Sequence, residues 1–489
     1  MLSILVAHSF FLRFDSKQFE RAKPYPPLAT LQIAALLRGQ GHEVSLFDAM
    51  LASGLQDFEA SLREHAPQVV LLYEDNYNYL SKMCLAAMRR AAAEMTAMAR
   101  SRGARVIVAG SDVSDAPAPY LQAGADAALQ GEGHGALQQL LLRLEQDLDQ
   151  DTAALTAGLS GVHALFEGQP RVAANSPVAA TVVRLHPARQ ADEMAVAWDL
   201  VDVERYRSVW QAAHGRFSLN MAASKGCSFR CAWCAKPIWG NRYQQREPQA
   251  VAAEMLELKA RFAPDHIWFA DDIFGFKAEW VQDFAVALQA GGGGLPFSIQ
   301  SRADLITPAM AEALREAGCS EVWLGAESGS QQVLDRMNKG TTVEQIRTAR
   351  ERLGEQGIRT AFFIQLGYLG EQLEDLLATR RLIAETRPDD IGVSVSYPLP
   401  GTRFHEQVRQ QLGPKTHWED SGELAMMFTG RYSTDFYREV RDLLHEQVEV
   451  DRRHSGASEA RAALGRRWAS LLSTEPAHRS EAGLARSAS

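Results

Sequence analysis

Two long stretches of this chain alternate short apolar runs with amphipathic helical stretches, one before residue 150 and one between residues 216 and 405. Alternation of this kind buries its apolar runs in a parallel sheet covered by helices. In the first stretch Ser3–His8, Glu43–Phe47, Val69–Tyr73, Arg105–Ala109 and Ala125–Leu129 read as strands. Pro27–Gln40 reads as a helix with Leu28, Leu31 and Ala35 on one face and Gly41 as its stop. Leu80–Arg102 reads as a longer helix closed by Gly103, with Leu80, Cys84, Met88, Ala91, Met95 and Met98 at helical spacing. That stripe is expected to be core, since methionine fills irregular gaps. The second stretch offers six strands: Ser218–Ala223, His266–Ala270, Phe297–Ser301, Glu321–Gly325, Thr360–Leu366 and Ile391–Tyr397. Helices with clear faces lie between them, such as the Val251, Met255, Leu258, Phe262 stripe.

The expected architecture is α/β. A doubly wound, flavodoxin- or Rossmann-like domain spans 1–150, and a partial (β/α)6 barrel spans 216–405. Residues 151–215 read as a linker with a hairpin, Gly161–Phe166 and Pro170–Ala174 split by Glu167-Gly168-Gln169. Pro177 and Pro187 lie in that linker, and Trp198 to Tyr206 reads as a lead-in helix. Residues 406–473 read as a small helical region, with Phe436, Val440, Leu443, Leu444 and Val448 on one stripe and Leu464, Trp468, Leu471 and Leu472 on another. Residues 474–489, small and polar, are expected to be a disordered tail. The Arg466-Arg467 pair reads as a solvated face. At 489 residues and 46% hydrophobic content the chain has ample material for large cores. Its net charge of -9 lacks the basic surplus of a dedicated nucleic-acid binder. No apolar run reaches the length of a membrane span, and the N-terminus lacks the pattern of a signal peptide. Five cysteines, three of them clustered, make no disulfide framework and suit a reducing cytoplasm.

The clustered three are Cys227, Cys231 and Cys234, spaced C-x3-C-x2-C in Lys225–Asn241. Thiolates at short spacing are metal ligands. A structural zinc site closes with a fourth protein ligand, and an ordinary ferredoxin cluster takes four cysteines. Three thiolates leave one iron of a [4Fe–4S] cluster open to a small molecule; a zinc knuckle completed by a distant histidine is the competing reading. Cys319, just before a strand, is expected to be structural.

The spacing, with Trp233 before the last cysteine, resembles the signature of the radical S-adenosylmethionine (SAM) superfamily. That resemblance implies a [4Fe–4S] cluster on Cys227, Cys231 and Cys234 whose open iron binds the amino and carboxylate groups of SAM. It extends to strand ends along the barrel. Asp271, in Phe269-Ala270-Asp271-Asp272, stands where family members contact the SAM ammonium. Arg302 has the fork geometry to hold the SAM carboxylate, or to form a rim salt bridge. Gly325-Ala326-Glu327-Ser328-Gly329 resembles the G-x-E-S-G element, whose Glu and Ser face the ribose and methionine portions of SAM. Gly367, in Gln365-Leu366-Gly367-Tyr368, resembles the element flanking adenine, and Pro398-Leu399-Pro400-Gly401-Thr402 the common closing element.

The first domain, placed before such a barrel, resembles the cobalamin-binding domain of one large subgroup. Pro26-Pro27-Leu28 with its helix, and the loops Gly110-Ser111 and Gly131-Glu132-Gly133, carry the likeness. Glycines at strand ends let backbone amides approach a large flat ligand. The D-x-H-x-x-G signature, whose histidine ligates cobalt, is absent, so no histidine of that motif is expected on the metal. His8 is the histidine nearest a strand end and reads as a satisfied rim residue. Tyr73–Tyr79 reads either as a solvated loop or as a segment approaching the corrin.

The resemblance implies reductive cleavage of SAM to a 5′-deoxyadenosyl radical, acting on an unactivated position of a small-molecule substrate. Methyl transfer is the leading outcome. Oxidative cyclisation or rearrangement is the alternative, and a non-catalytic corrinoid or iron–sulfur sensor a third. An electron donor such as flavodoxin or ferredoxin is implied. No general acid or base is singled out by the sequence.

Overall fold

The computed structural model describes residues 1–83, 85–166, 169–172, 194–452 and 457–479. Cys84, the Glu167-Gly168 turn, Pro177, Pro187 and residues 480–489 of the expected tail lie outside the described residues. The chain divides into two compact units. One comprises Met1–Met221, Lys236–Gly240 and His417–Glu423; the other comprises Ala222–Ala235, Asn241–Thr416 and Leu424–Ser489.

The first unit is built on strands β1 (Ser3–Ala7), β2 (Glu43–Phe47), β3 (Val69–Tyr73), β4 (Arg105–Ala109), β5 (Ala127–Leu129), β6 (Val162–Phe166) and β7 (Gln169–Val172), in the order β2-β1-β3-β4-β5-β6-β7. The first five are parallel and follow the flavodoxin-like order. One face packs Leu5, Val70, Leu72, Val106 and Val108 against Phe58, Met95 and Ala99. The methionine stripe is therefore core at Met88 and Met95. The hairpin β6–β7 is present, and it does more than link. It joins β5 antiparallel and extends the sheet.

The long helix expected at Leu80–Arg102 is two helices, Tyr79–Met83 and Ala86–Ser101. A physical reason lies in distant sequence. The Ala86 and Ala87 amides donate to the carbonyls of Trp418 and Glu419 at 2.8 and 3.3 Å, so the segment His417–Glu423 satisfies the first turn of a new helix. Arg89 and Arg90 pair with Asp112 and Glu419 and fix the same junction.

The second sheet contains β8 (Ser218–Met221), β11 (His266–Phe269), β12 (Phe297–Ser301), β13 (Cys319–Glu327), β14 (Arg359–Leu366) and β15 (Asp390–Val395), in the order β15-β14-β13-β12-β11-β8. The pairs from β11 to β15 are parallel, which makes a half-barrel sheet. One face is mostly apolar, with Ile267, Phe297, Ile299, Val322, Leu324, Phe362, Ile364 and Ile391 buried. The other face carries Trp268, Gln300, Trp323, Phe363 and Ser394, all partly exposed. The period of two thus separates a helix-covered side from a polar and aromatic side. A short antiparallel pair, β9 (Ser224–Gly226) and β10 (Tyr243–Gln245), closes the base of the cysteine loop.

Helices Thr434–Arg452 and Ala457–His478 pack together, with the predicted Phe436, Val440, Leu443, Leu444 and Val448 buried. The tail does not begin at 474. Glu475 is buried, accepts from the Tyr432 hydroxyl at 2.6 Å, and pairs with Arg479. A single paired carboxylate thus carries the helix past the last apolar stripe that periodicity could register. Among the described residues no helix is long and apolar enough to cross a membrane.

Candidate cofactor sites

In the second unit the cysteine loop is fixed by backbone. The Ala232 amide donates to Met337 O at 2.7 Å, Ala232 O accepts from the Phe404 amide at 2.9 Å, and the Asn338 side-chain amide donates to Arg230 O at 2.8 Å. Trp233 packs on Val333, Met337, Tyr368, Phe404, Val408 and Phe428. Cys227, Cys231 and Cys234 are partly exposed and outside any disulfide. Among the described residues no three His, Cys, Asp or Glu side chains form a site for a single metal ion. Cys319 is at the opposite, N-terminal end of β13. It is buried, its thiol donates to Glu321 O, and burial pushes its pKa up, as suits a structural cysteine.

Positive charge is built against the loop from two neighbouring elements. The Arg302 guanidinium lies 3.6 Å from the Phe229 ring centroid, donates to Asp304 at 2.9 and 3.1 Å and to Lys339 O at 2.7 Å, and has Nη1 3.8 Å from Cys231 Sγ. Lys339 Nζ is 2.7 Å from Glu327 Oε1, with both side chains buried. Burial lowers the Lys339 pKa, but the charges of Glu327 and Cys231 outweigh it and hold it above its ordinary value. This donor set suits an anionic thiolate cluster: three thiolates on one loop, with an arginine and a lysine beside Cys231 to compensate charge.

The strand-end residues expected to meet SAM are gathered at this edge, and several are already engaged with protein. Asp271 is fully buried, and its carboxylate accepts from the Ala223 amide at 3.1 Å and from the Ser224 hydroxyl. Burial pushes its pKa up to about 7. It pins the chain between β8 and β9, and Asp272 beside it is the more accessible carboxylate. Arg302 forms the rim salt bridge, to Asp304. Glu327 has φ +61°, at a register shift between Gly325 and Glu327, a conformation costly for a side-chain-bearing residue. A Cβ on Gly325 would stand 2.6 Å from Lys339 Nζ and 2.9 Å from Glu327 Oε1, so that glycine makes room for the ion pair. The Ser328 hydroxyl faces Thr379 Oγ1 at 3.2 Å and accepts from the Ser330 amide. Gly329 presses on the helix Leu373–Thr386, where a Cβ would stand 2.6 Å from Thr379 Cα. Gly367 has φ +74°, is packed by Met426 and Tyr437, and donates its amide to Glu371 Oε2 at 2.6 Å.

Lys339 and Glu371 escaped the sequence reading. Lys339 sits in Asn338-Lys339-Gly340-Thr341, which reads only as a turn before the Thr342 N-cap. Its charge was the available signal, but its partner Glu327 is twelve positions away in sequence, across a helix.

In the first unit, the C-terminal ends of the parallel strands hold a buried polar cluster. His8 Nε2 lies 3.0 Å from Asp48 Oδ1, while Asp48 also accepts from the Tyr206 hydroxyl at 2.6 Å. Burial opposes charge on His8, but Asp48, Glu74 and Asp75 raise its pKa. The histidine is thus a satisfied rim residue. Glu74 accepts from the Ser9 amide and hydroxyl, and a Cβ on Gly110 would stand 2.8 Å from Glu74 Cβ. Asp75 accepts from the Ala29 amide at the start of helix Leu28–Gly39, and burial raises its pKa to about 6. Tyr73 to Tyr77 are buried, so this is not a solvated loop. The Tyr73 hydroxyl donates to Glu132 O, and Gly131 and Gly133 have φ +69° and +65°. The Gly131 amide donates to Ser114 Oγ at 2.9 Å. Two buried side-chain atoms at this edge, Ser111 Oγ and Asn76 Oδ1, have no hydrogen-bond partner among the described residues. Orphaned polar atoms beside glycine loops at a parallel sheet's ligand edge fit an amide-rimmed cofactor such as cobalamin.

A flavodoxin-like ligand edge joined to a half-barrel with a three-cysteine loop defines a radical SAM enzyme carrying a corrinoid domain. Family comparison places it directly: the B12 binding domain model matches residues 19–141 and the Radical SAM superfamily model matches residues 221–383. Residues 221–383 thus form a radical SAM domain and residues 19–141 a B12-binding domain, with a [4Fe–4S] cluster, SAM and cobalamin as the cofactors. It is 23% identical over 387 residues to an uncharacterised methyltransferase of Pyrococcus horikoshii, covering 78% of each chain. It is 26% identical over 292 residues to the anaerobic magnesium-protoporphyrin IX monomethyl ester cyclase of Rubrivivax gelatinosus, covering 59% of this chain and 49% of that one. Among solved structures it superposes on the radical SAM methyltransferase TsrM of Kitasatospora setae, with cobalamin and a [4Fe–4S] cluster bound, at TM-score 0.64, 18% identity and 83% and 74% coverage. It superposes on OxsB, a cobalamin-dependent SAM radical enzyme with aqua-cobalamin and SAM bound, at TM-score 0.63 and 17% identity. That match covers 83% of this chain and 55% of OxsB.

Proposed function

We propose that this enzyme functionalises an unactivated position of a small molecule, by methyl transfer. The observation that carries the reading is the order of its two domain matches, B12 binding at 19–141 and radical SAM at 221–383, in a chain whose likeness to a methyltransferase runs over 387 residues. In this reading residues 1–150 hold cobalamin, 151–215 join the modules, 216–405 form the catalytic barrel, and the helical region from 406 through the helix Ala457–His478 closes it. Cys227, Cys231 and Cys234 ligate three irons. When bound, the cluster, SAM and cobalamin supply the one-electron cleavage of SAM and the transferable methyl group.

The chain's own residues position and shield. Arg302 and Lys339 offset the thiolate charge. The strand end pinned by Asp271 frames the SAM ammonium, and Arg302 lies within reach of its carboxylate. Gly325, Glu327 and Ser328 frame ribose and methionine, and Gly367 flanks adenine. Gly110, Ser111 and Gly131-Glu132-Gly133 carry the corrinoid. A flavodoxin- or ferredoxin-like protein delivers the electron in a reducing cytoplasm. The likeness to the Rubrivivax cyclase favours a second reading, oxidative ring formation.

Anaerobic reconstitution with iron, sulfide, cobalamin, SAM and candidate metabolites, read by mass spectrometry, separates the two. A product heavier by one methylene unit supports methyl transfer. A product lighter by hydrogen replaces it with cyclisation. Cobalamin-independent turnover would remove the corrinoid from the reaction.

A further inference from the structure

Lys236–Gly240 follows the third cysteine directly, yet it packs with the first unit. Its Trp239 ring lies 5.4 Å from the Tyr77 ring, and Lys82 Nζ lies 5.4 Å from the Trp239 ring centroid. The preceding carbonyl, Ile238 O, would be 3.3 Å from a Cβ on Gly131. The segment therefore lies along the ligand edge of the flavodoxin-like sheet, from the loop after β3 to the loop after β5. It is the direct neighbour of Gly131, so that glycine's small size serves this segment as well as any ligand.

Trp239 Nε1 is buried with no hydrogen-bond partner among the described residues. An indole nitrogen can only donate, and a buried donor left unpaired is costly. Ser111 Oγ, after β4, and Asn76 Oδ1, after β3, share the condition along the same edge. A donor, a hydroxyl and an acceptor without protein partners complement a ligand that presents carbonyls and N–H groups around its rim. The corrin ring does so through its acetamide and propionamide arms.

We infer that Trp239 contacts cobalamin, its indole N–H donating to a corrin side-chain amide while Tyr77 and Lys82 hold the ring in place. This rests on the first unit binding cobalamin. It adds that the segment Lys236–Gly240 furnishes a wall of the corrinoid site.

The test uses the reconstituted full-length enzyme with hydroxocobalamin and, separately, cobinamide, which keeps the corrin amides but lacks the nucleotide arm. Affinity is read by absorbance titration and by retention after desalting, with iron per chain as the control for fold and cluster. Trp239→Phe keeps a ring against Tyr77 and removes the donor together with part of the indole's area. It should weaken both corrinoids alike, by about 3- to 10-fold, as for loss of one hydrogen bond, with iron unchanged. Trp239→Ala should weaken both further. Equal affinity of Trp239→Phe and parent for both would overturn the inference and leave cobalamin binding intact. A loss confined to hydroxocobalamin would overturn the corrin-amide contact in favour of the nucleotide arm. A parent that retains neither corrinoid would overturn the cobalamin reading itself, and the inference with it.

Discussion

Lys339 shows how a single buried charge can organise a site. It stands between Glu327, whose φ of +61° needs holding, and the cysteine loop, and Gly325 is a glycine to admit it. Removing one member of such a pair strands the other, at roughly 3–5 kcal/mol. Lys339→Met should therefore lower unfolding stability by that amount, and adding Glu327→Gln should recover much of it; chemical denaturation through a double-mutant cycle measures both. Glu371 is a second buried ionisable side chain. Burial outweighs the Gly367 amide and pushes its pKa up to about 8. Its neutral form is favoured by folding, so its contribution is complete below the ordinary pKa near 4.5 and is lost as pH rises through about 8. Glu371→Gln keeps an acceptor for Gly367 and does not titrate. Relative to parent it should gain stability between pH 5 and 8.5, by on the order of a few kcal/mol. Thermal unfolding at both pH values checks it, and a constant difference would place the carboxyl's pKa at its ordinary value. Neither residue was legible in sequence, because what marks each is an absence of water set by distant segments. The cysteines were legible, because their chemistry lies in local spacing.

At the level of elements, structure is legible in the sequence where a pattern repeats within one element. The five parallel strands of the first sheet, the six of the second and the apolar stripe of Thr434–Arg452 fall where periodicity puts them, with ends moved by a residue or two. Structure is not legible in the sequence where an element is ended or continued by a distant partner. The break after Met83 is met by Trp418 and Glu419 carbonyls, and the last helical turn at Glu475–His478 rests on Tyr432 and Ser433. Ending the chain at Thr474 removes the partner of the Tyr432 hydroxyl and the His478 carbonyl that accepts from the Ser433 amide at 2.9 Å. The phenol's O–H then loses its acceptor, a cost of about 1–3 kcal/mol. A melting temperature lower by several degrees is expected, with iron content unchanged. An unaltered melting temperature would show that the last turn contributes nothing.

At the scale of the molecule, two cofactor sites on two compact units should be separable by mutation, and the residues that separate them differ in kind. Cys231 offers a ligand atom, so Cys231→Ala should abolish the cluster and SAM cleavage while corrinoid retention stays near that of the parent. Gly131 offers space. Its φ of +69° is one that leucine rarely adopts, and a Cβ there already reaches 3.3 Å from Ile238 O. Gly131→Leu should therefore distort the β5 loop and displace the segment bearing Trp239, and so eject cobalamin, while Gly131→Ala should weaken it by a smaller factor. Iron per chain should stay at the parent level in both, since the cysteine loop is held by Met337, Phe404 and Asn338 of the second unit. The absence of a histidine from cobalt belongs to the same experiment. His8 is committed to Asp48, so any nitrogen splitting in the paramagnetic resonance of the cob(II)alamin form should be the same in parent and in His8→Ala. Splitting that vanishes in His8→Ala would mean the ring leaves Asp48 for the metal. Loss of iron in Gly131→Leu would mean that the two sites do not come apart, and that the Lys236–Gly240 segment governs the cluster as well as the corrinoid.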